Sequence, residues 1–135
     1  MKTKVYIVDD HILVIEGIKS MLQDEEEIVL QGHGYNAGDC LTFLQHQQPD
    51  VILMDINLPD FNGFEALKML HLDPATSHIP VMALSASAMP RDIKKGLEAG
   101  FFRYITKPIK VNEFIASLDL ALEFADHRFE NKKNN

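Results

Sequence analysis

Short apolar runs alternate with longer stretches of helical spacing along the whole chain. The runs are Val5–Val8, Ile28–Leu30, Val51–Met54, Val81–Leu84 and Phe101–Ile105, the last with Arg103 inside it. Each has the length of a strand and is bounded by polar or turn residues. Between them, Val14, Ile15, Ile18, Met21 and Leu22 form one stripe at the spacing of a helix face. Ala37, Cys40, Leu41 and Leu44 form a second, opened by Asn36 as an N-cap. Phe64, Leu67 and Leu70 predict a third helix. Pro90 fits the first turn of a fourth, which ends at Gly100. Val111, Phe114, Ile115, Leu118, Ala121, Leu122 and Ala125 mark a fifth. The polar segment Asp126–Asn135 reads as the frayed end of that helix. One domain over residues 1–125 with a polar tail over 126–135 is therefore expected.

Strand and helix alternate five times. That order predicts the α/β class, with a parallel sheet covered by helices on both faces and right-handed crossovers. In such open sheets a ligand binds beyond the carboxyl ends of the strands. The first run ends at Asp9-Asp10, the third at Asp55, the fourth at Ser85, and the fifth leads into Thr106-Lys107-Pro108. Three carboxylates, a hydroxyl and an ammonium thus share one sheet edge. Carboxylates crowded together must be relieved by a proton or a cation. Oxygen ligands without a His or Cys pair suit Mg²⁺. A lysine across the site adds a second positive charge, and a hydroxyl can bind a phosphate oxygen. Phosphoryl transfer needs mainly such positioning and charge neutralisation, and an aspartate can be its nucleophile.

Bulk properties narrow the classes. A chain of 135 residues with 46% apolar and 24% charged residues is an ordinary single globular domain. A formal charge of −7 without a Lys/Arg cluster argues against nucleic acid as the partner. The lone Cys40 forms no internal disulfide and lies on an apolar stripe, which reads as core in a reducing, cytoplasmic setting. The N-terminus reaches Asp9 after four apolar residues, too few for a signal peptide or a membrane span.

Each feature has a plainer explanation when taken alone. Asp9-Asp10 could cap the first helix. Asp55 could be a turn residue, Ser85 a loop serine and Tyr104 a half-buried strand aromatic. His11 reads as an exposed first-turn residue, and the other histidines show no metal spacing. What outweighs these readings is their conjunction at one edge.

The runs VYIVDD, PDVILMDINLPDFNG, VMALSAS and FFRYITKPI resemble the receiver domain of two-component response regulators. The resemblance covers roughly residues 4 to 123. It implies a flavodoxin-like, doubly wound sheet of five parallel strands in the order 2-1-3-4-5, with five helices in three layers. It implies Asp55 as phosphoacceptor and Mg²⁺ as cofactor. The metal would be held by Asp9, Asp10, Asp55 and the backbone carbonyl of Asn57. Ser85 would bind the phosphoryl group, Lys107 would contact it, and Tyr104 would switch inward with Ser85. The bond to Pro108 would be cis. The implied partners are a sensor histidine kinase or phosphotransfer protein. A downstream protein or second copy would bind on the face of the fourth helix, fifth strand and fifth helix. The implied role is signalling, in which the chain catalyses only its own phosphorylation and dephosphorylation.

Two rivals belong to other classes. An aspartyl-phosphate hydrolase resembling haloacid dehalogenases wants a second Asp two residues after the nucleophile, where this chain has Asn57. An inert binding module would keep the fold without needing the acidic set. The two halves also resemble different receiver subtypes, changing between Leu58 and Leu70. The first resembles receivers joined to helix-turn-helix domains, the second those of hybrid sensor kinases. A natural blend and an engineered chimera both fit.

Overall fold

The computed structural model describes residues 2–133, with side chains described through 123. Its elements are β1 (Thr3–Val8), α1 (Ile12–Leu22), β2 (Ile28–Gly34), α2 (Ala37–Leu44), β3 (Val51–Asp55), α3 (Gly63–Leu72), β4 (Val81–Ser85), α4 (Pro90–Ala99), β5 (Arg103–Thr106) and α5 (Val111–Lys133). The strands form one parallel sheet in the order β2-β1-β3-β4-β5. This is the expected fold. The tail expected over 126–135 lies largely along the last turns of α5, and its side chains fall outside the described residues.

Two strand boundaries differ from the hydropathy pattern. Strand β2 runs on through Gln31, Gly32 and His33 to Gly34, because backbone pairing with β1 carries it past the last apolar residue. Strand β5 starts at Arg103, two residues later than the apolar run. Gly100 ends α4 at φ 114°, and its N–H bonds back to the Leu97 carbonyl. Phe101 then drops into the core, 3% exposed, before the strand begins. Gly100→Ala should lower stability by about 1–2 kcal/mol, since a Cβ is disfavoured in that left-handed conformation. Urea unfolding of the variant checks this.

The strands alternate with period two, which divides the core in two. Val5, Ile7, Val51, Leu53, Met82 and Leu84 point to one face and meet Ile15, Ile18, Phe114, Leu118 and Ala121 of α1 and α5. Tyr6, Val8, Ile52, Met54, Val81 and Ala83 point to the other and meet Ala37, Cys40, Ala66, Leu67 and Leu70 of α2 and α3. All five residues of β3 are buried, as a central parallel strand requires. Both clusters draw on residues from either side of the Leu58–Leu70 segment. Cys40 is 1% exposed, and burial pushes its thiol up to about 12, with Asp39 adding to the shift.

Candidate functional site

Strand register brings the chemical groups together. Val8 pairs with Met54, so Asp9 and Asp55 leave adjacent strands side by side. Asp55 pairs with Leu84, which places Ser85 one step beyond it, and Ser85 pairs with Thr106, which places Lys107 next. Backbone bonds hold these ends: Asp9 N–H to the Gly34 carbonyl (3.0 Å), Ile56 N–H to Leu84 (3.1 Å), and Lys107 N–H to Ser85 (2.8 Å). The Lys107–Pro108 bond is cis.

Asp9 is 0% and Asp55 2% exposed, whereas Asp10 is exposed. Lys107 Nζ lies 2.8 Å from Asp9 Oδ2 and 3.2 Å from Asp55 Oδ2, bridging the two buried carboxylates. Asp55 Oδ1 accepts from Asn57 N–H at 3.0 Å. Asp9 Oδ2 thus faces the Lys107 ammonium, while Asp9 Oδ1 takes the His11 backbone N–H at 2.8 Å. Burial raises the Asp55 carboxyl above its ordinary value and Asp9 adds to this, while the Asn57 N–H and Lys107 oppose it. The carboxylates in turn raise Lys107 against its own desolvation. Three carboxylates facing one ammonium leave an excess of negative charge. Donor atoms of Asp9, Asp10, His11 and Asp55 lie within 4.8 Å of one another, so a divalent cation fits the surplus charge and the carboxylate donor set.

Ser85 and Tyr104 sit beside this cluster. Ser85 Oγ accepts from Ser87 N–H at 3.1 Å, which leaves its own O–H to donate. Tyr104 donates its hydroxyl to the Ser87 carbonyl at 3.0 Å. Its ring packs so closely on Gly96 that a Cβ there would meet Tyr104 Cδ2 at 2.8 Å. Asn57, Phe64, Ser85, Ser87 and Tyr104 line a pocket of about 200 Å³.

Two participants were not evident from sequence. His11 is exposed, as expected, but it is the extended N-cap residue before α1 rather than part of its first turn. Yet its Nδ1 turns back onto the acidic cluster, 2.9 Å from Asp9 Oδ1. Asp60 was not singled out. Its carboxylate accepts from Ala37 N–H and Gly38 N–H (2.9 Å each), tying the loop after β3 to the N-terminus of α2. Desolvation raises its pKa, but these bonds together with the Phe61 N–H outweigh it and hold the carboxyl below the usual carboxylate range. The only signal for His11 was its place beside the acidic pair.

A parallel α/β/α sheet with buried acids and a lysine at one end defines a class, and comparison agrees. The chain belongs to the response regulator receiver domain family, whose sequence model matches residues 5–119. Among its relatives is protein PilH of Pseudomonas aeruginosa, 32% identical over 119 residues covering 88% of this chain and 97% of that protein. The polar-differentiation response regulator DivK of Brucella anthropi is 34% identical over 118 residues, covering 87% and 94%. Among solved structures, the chemotaxis response regulator CheY4 of Vibrio cholerae superposes with TM-score 0.79 at 25% identity, covering 90% of this chain and all of that one. The receiver domain of a signal transduction histidine kinase from Syntrophus aciditrophicus gives 0.77 at 29% identity, covering 90% of each. The chain is thus a signalling receiver domain whose Asp9, Asp10 and Asp55 pocket fits a phosphoacceptor site. Among the described residues no helix is long and apolar enough to cross a membrane.

Proposed function

We propose that a phosphohistidine on a sensor kinase or phosphotransfer protein donates its phosphoryl group to Asp55. The observation that carries this is Lys107 bridging Asp9 Oδ2 and Asp55 Oδ2 at the bottom of a buried acidic pocket. An Asp55 oxygen forms the new P–O bond as the P–N bond to the donor imidazole breaks, and that imidazole leaves with the bonding pair and takes up a proton. Asn57 N–H keeps the other Asp55 oxygen in place. Lys107 neutralises charge on the incoming phosphoryl oxygens, and the Ser85 hydroxyl donates to one of them. Asp9, Asp10, Asp55 and the Asn57 carbonyl would hold Mg²⁺, which when bound offsets the phosphoryl charge. Water later attacks the phosphorus of the acyl phosphate, restoring the Asp55 carboxylate and releasing inorganic phosphate. The chain catalyses both steps on itself.

Movement of Ser85 Oγ toward the phosphoryl group draws it away from the Ser87 N–H and shifts the segment to which Tyr104 is bonded. The signal then leaves through the face of α4, β5 and α5, to a downstream protein or a second copy. The working unit is the receiver over 1–125, followed by the polar tail over 126–135, and it acts in the cytoplasm.

Incubation with Mg²⁺ and a small acyl phosphate, followed by mass measurement under mild conditions, tests the reading. One added phosphoryl group, lost on chelating the metal beforehand, is the expected result. No adduct under any condition would favour the inert module, and steady turnover of a phosphoester without an adduct would favour a hydrolase.

A further inference from the structure

The loop over residues 56–62 joins β3 to α3 and carries Asn57. Its two ends are closed on each other and on the sheet. Ile56 N–H bonds to the Leu84 carbonyl at 3.1 Å, and Gly63 N–H returns to the Ile56 carbonyl at 2.7 Å. Between these ends Leu58 rests on the second core, a contact without direction. Asn57 and Asn62 bond to the elements that flank the loop, through Asp55 Oδ1 and Glu65 N–H. Among the described residues, Asp60 alone ties the middle of the loop by hydrogen bonds to an element remote in the chain. Its Oδ1 accepts from Ala37 N–H and its Oδ2 from Gly38 N–H, at 2.9 Å each, and Oδ1 also takes Phe61 N–H at 2.8 Å. Asp60 is exposed, so core packing does not dictate these bonds.

A helix leaves its first N–H groups without internal partners, and its dipole favours an anion there. Helix α2 has its own cap, but Asn36 Oδ1 takes the Asp39 N–H, at 2.7 Å. The two N–H groups ahead of it are left to Asp60. A carboxylate engaged through both oxygens is held in one orientation, whereas a single bond would let it swing. The tie therefore fixes residue 60, three positions on from Asn57. We infer that Asp60 is a positioning residue: by fixing the loop to α2 it sets where the Asn57 carbonyl stands, and so how tightly the site holds its divalent cation. This rests on the reading of Asp9, Asp10, Asp55 and the Asn57 carbonyl as the ligands of that cation. Coupling of this kind is reciprocal. A cation that steadies the Asn57 carbonyl steadies the loop, and through Asp60 it steadies the start of α2.

The test compares the full chain with Asp60→Ala, Asp60→Asn and Asn36→Ala. Asn36→Ala takes a bond from the same helix start and none from the loop, so it reports what a cap alone contributes. Calorimetric titration with Mg²⁺ should show affinity falling by about tenfold in Asp60→Ala and by less in Asp60→Asn, which keeps one acceptor oxygen, with Asn36→Ala within about twofold of the parent. Phosphoryl uptake from a small acyl phosphate should slow in Asp60→Ala at limiting Mg²⁺ and recover at saturating Mg²⁺, because Asp60 touches no reacting atom. Mg²⁺ should slow hydrogen exchange at Ala37 and Gly38 in the parent and leave it unchanged in Asp60→Ala. Equal losses of Mg²⁺ affinity in Asp60→Ala and Asn36→Ala, or no loss in either, overturn the inference and leave Asp60 a helix cap. A parent chain that binds no Mg²⁺ would instead overturn the cation reading itself, and the inference with it. Circular dichroism checks the fold of each variant, and Asp60→Asn decides the matter should Asp60→Ala unfold.

Discussion

A chain carrying Asp55→Asn should take up no phosphoryl group from a phosphodonor, and its metal-free fold should be more stable than the parent's at neutral pH. The first effect follows from chemistry. An amide offers no anionic oxygen to form the acyl phosphate, so the loss is complete rather than partial. The second follows from burial. The Asp55 carboxyl is raised, first by desolvation and then by Asp9, so folding disfavours its charged form. That cost is absent below the ordinary carboxylate range and fully present above the raised folded value. The parent therefore loses stability from this group as pH rises through that window, and the variant does not. Lys107 lies 2.8 Å from Asp9 as well, so the ammonium keeps a carboxylate partner when Asp55 is made neutral. Mass measurement after phosphodonor treatment checks the first effect and urea unfolding across the carboxylate range checks the second. Saturating Mg²⁺ should narrow or reverse the stability gap, because the cation stabilises the parent by mass action. A phosphorylated Asp55→Asn chain would sink the assignment of Asp55.

Phe114→Ala should cost about 3–5 kcal/mol, the usual penalty for emptying a large aromatic site in a core. Phe114 is 0% exposed and lies in the cluster of Val5, Ile7, Leu53 and Leu84, against the strands that carry Asp9, Asp55 and Ser85. The loss is a large part of the roughly 5–15 kcal/mol available to a domain. It corresponds to a fall in melting temperature of roughly 10–20 °C for a chain of this size. Urea midpoints at unchanged slope measure it. A cost below about 1 kcal/mol would mean that α5 closes onto the sheet and fills the space, contrary to the close packing expected of such a core.

The class of fold was legible because each strand here is an unbroken apolar run and each helix carries a clean stripe. The site was legible because the polar residue ending each run is also the one that register places at the edge: Asp9, Asp55, Ser85 and Lys107. What remained hidden depends on side-chain direction or on distant pairing. Hydropathy does not report that His11 turns inward. It also gives no sign that Asp60 reaches back across more than twenty residues to Ala37 and Gly38. The end of β2 was missed because Gly32 and Gly34 belong to the strand through their backbone alone.

Helix α4 buries only Gly96, and that residue's missing methyl is the seat of the Tyr104 ring. The helix therefore rests on the sheet through a hinge plate rather than a wall. Most of the other helices bury several large side chains in the cores, whereas lifting α4 would expose little apolar surface. Its displacement should cost the least free energy of any helix in the molecule.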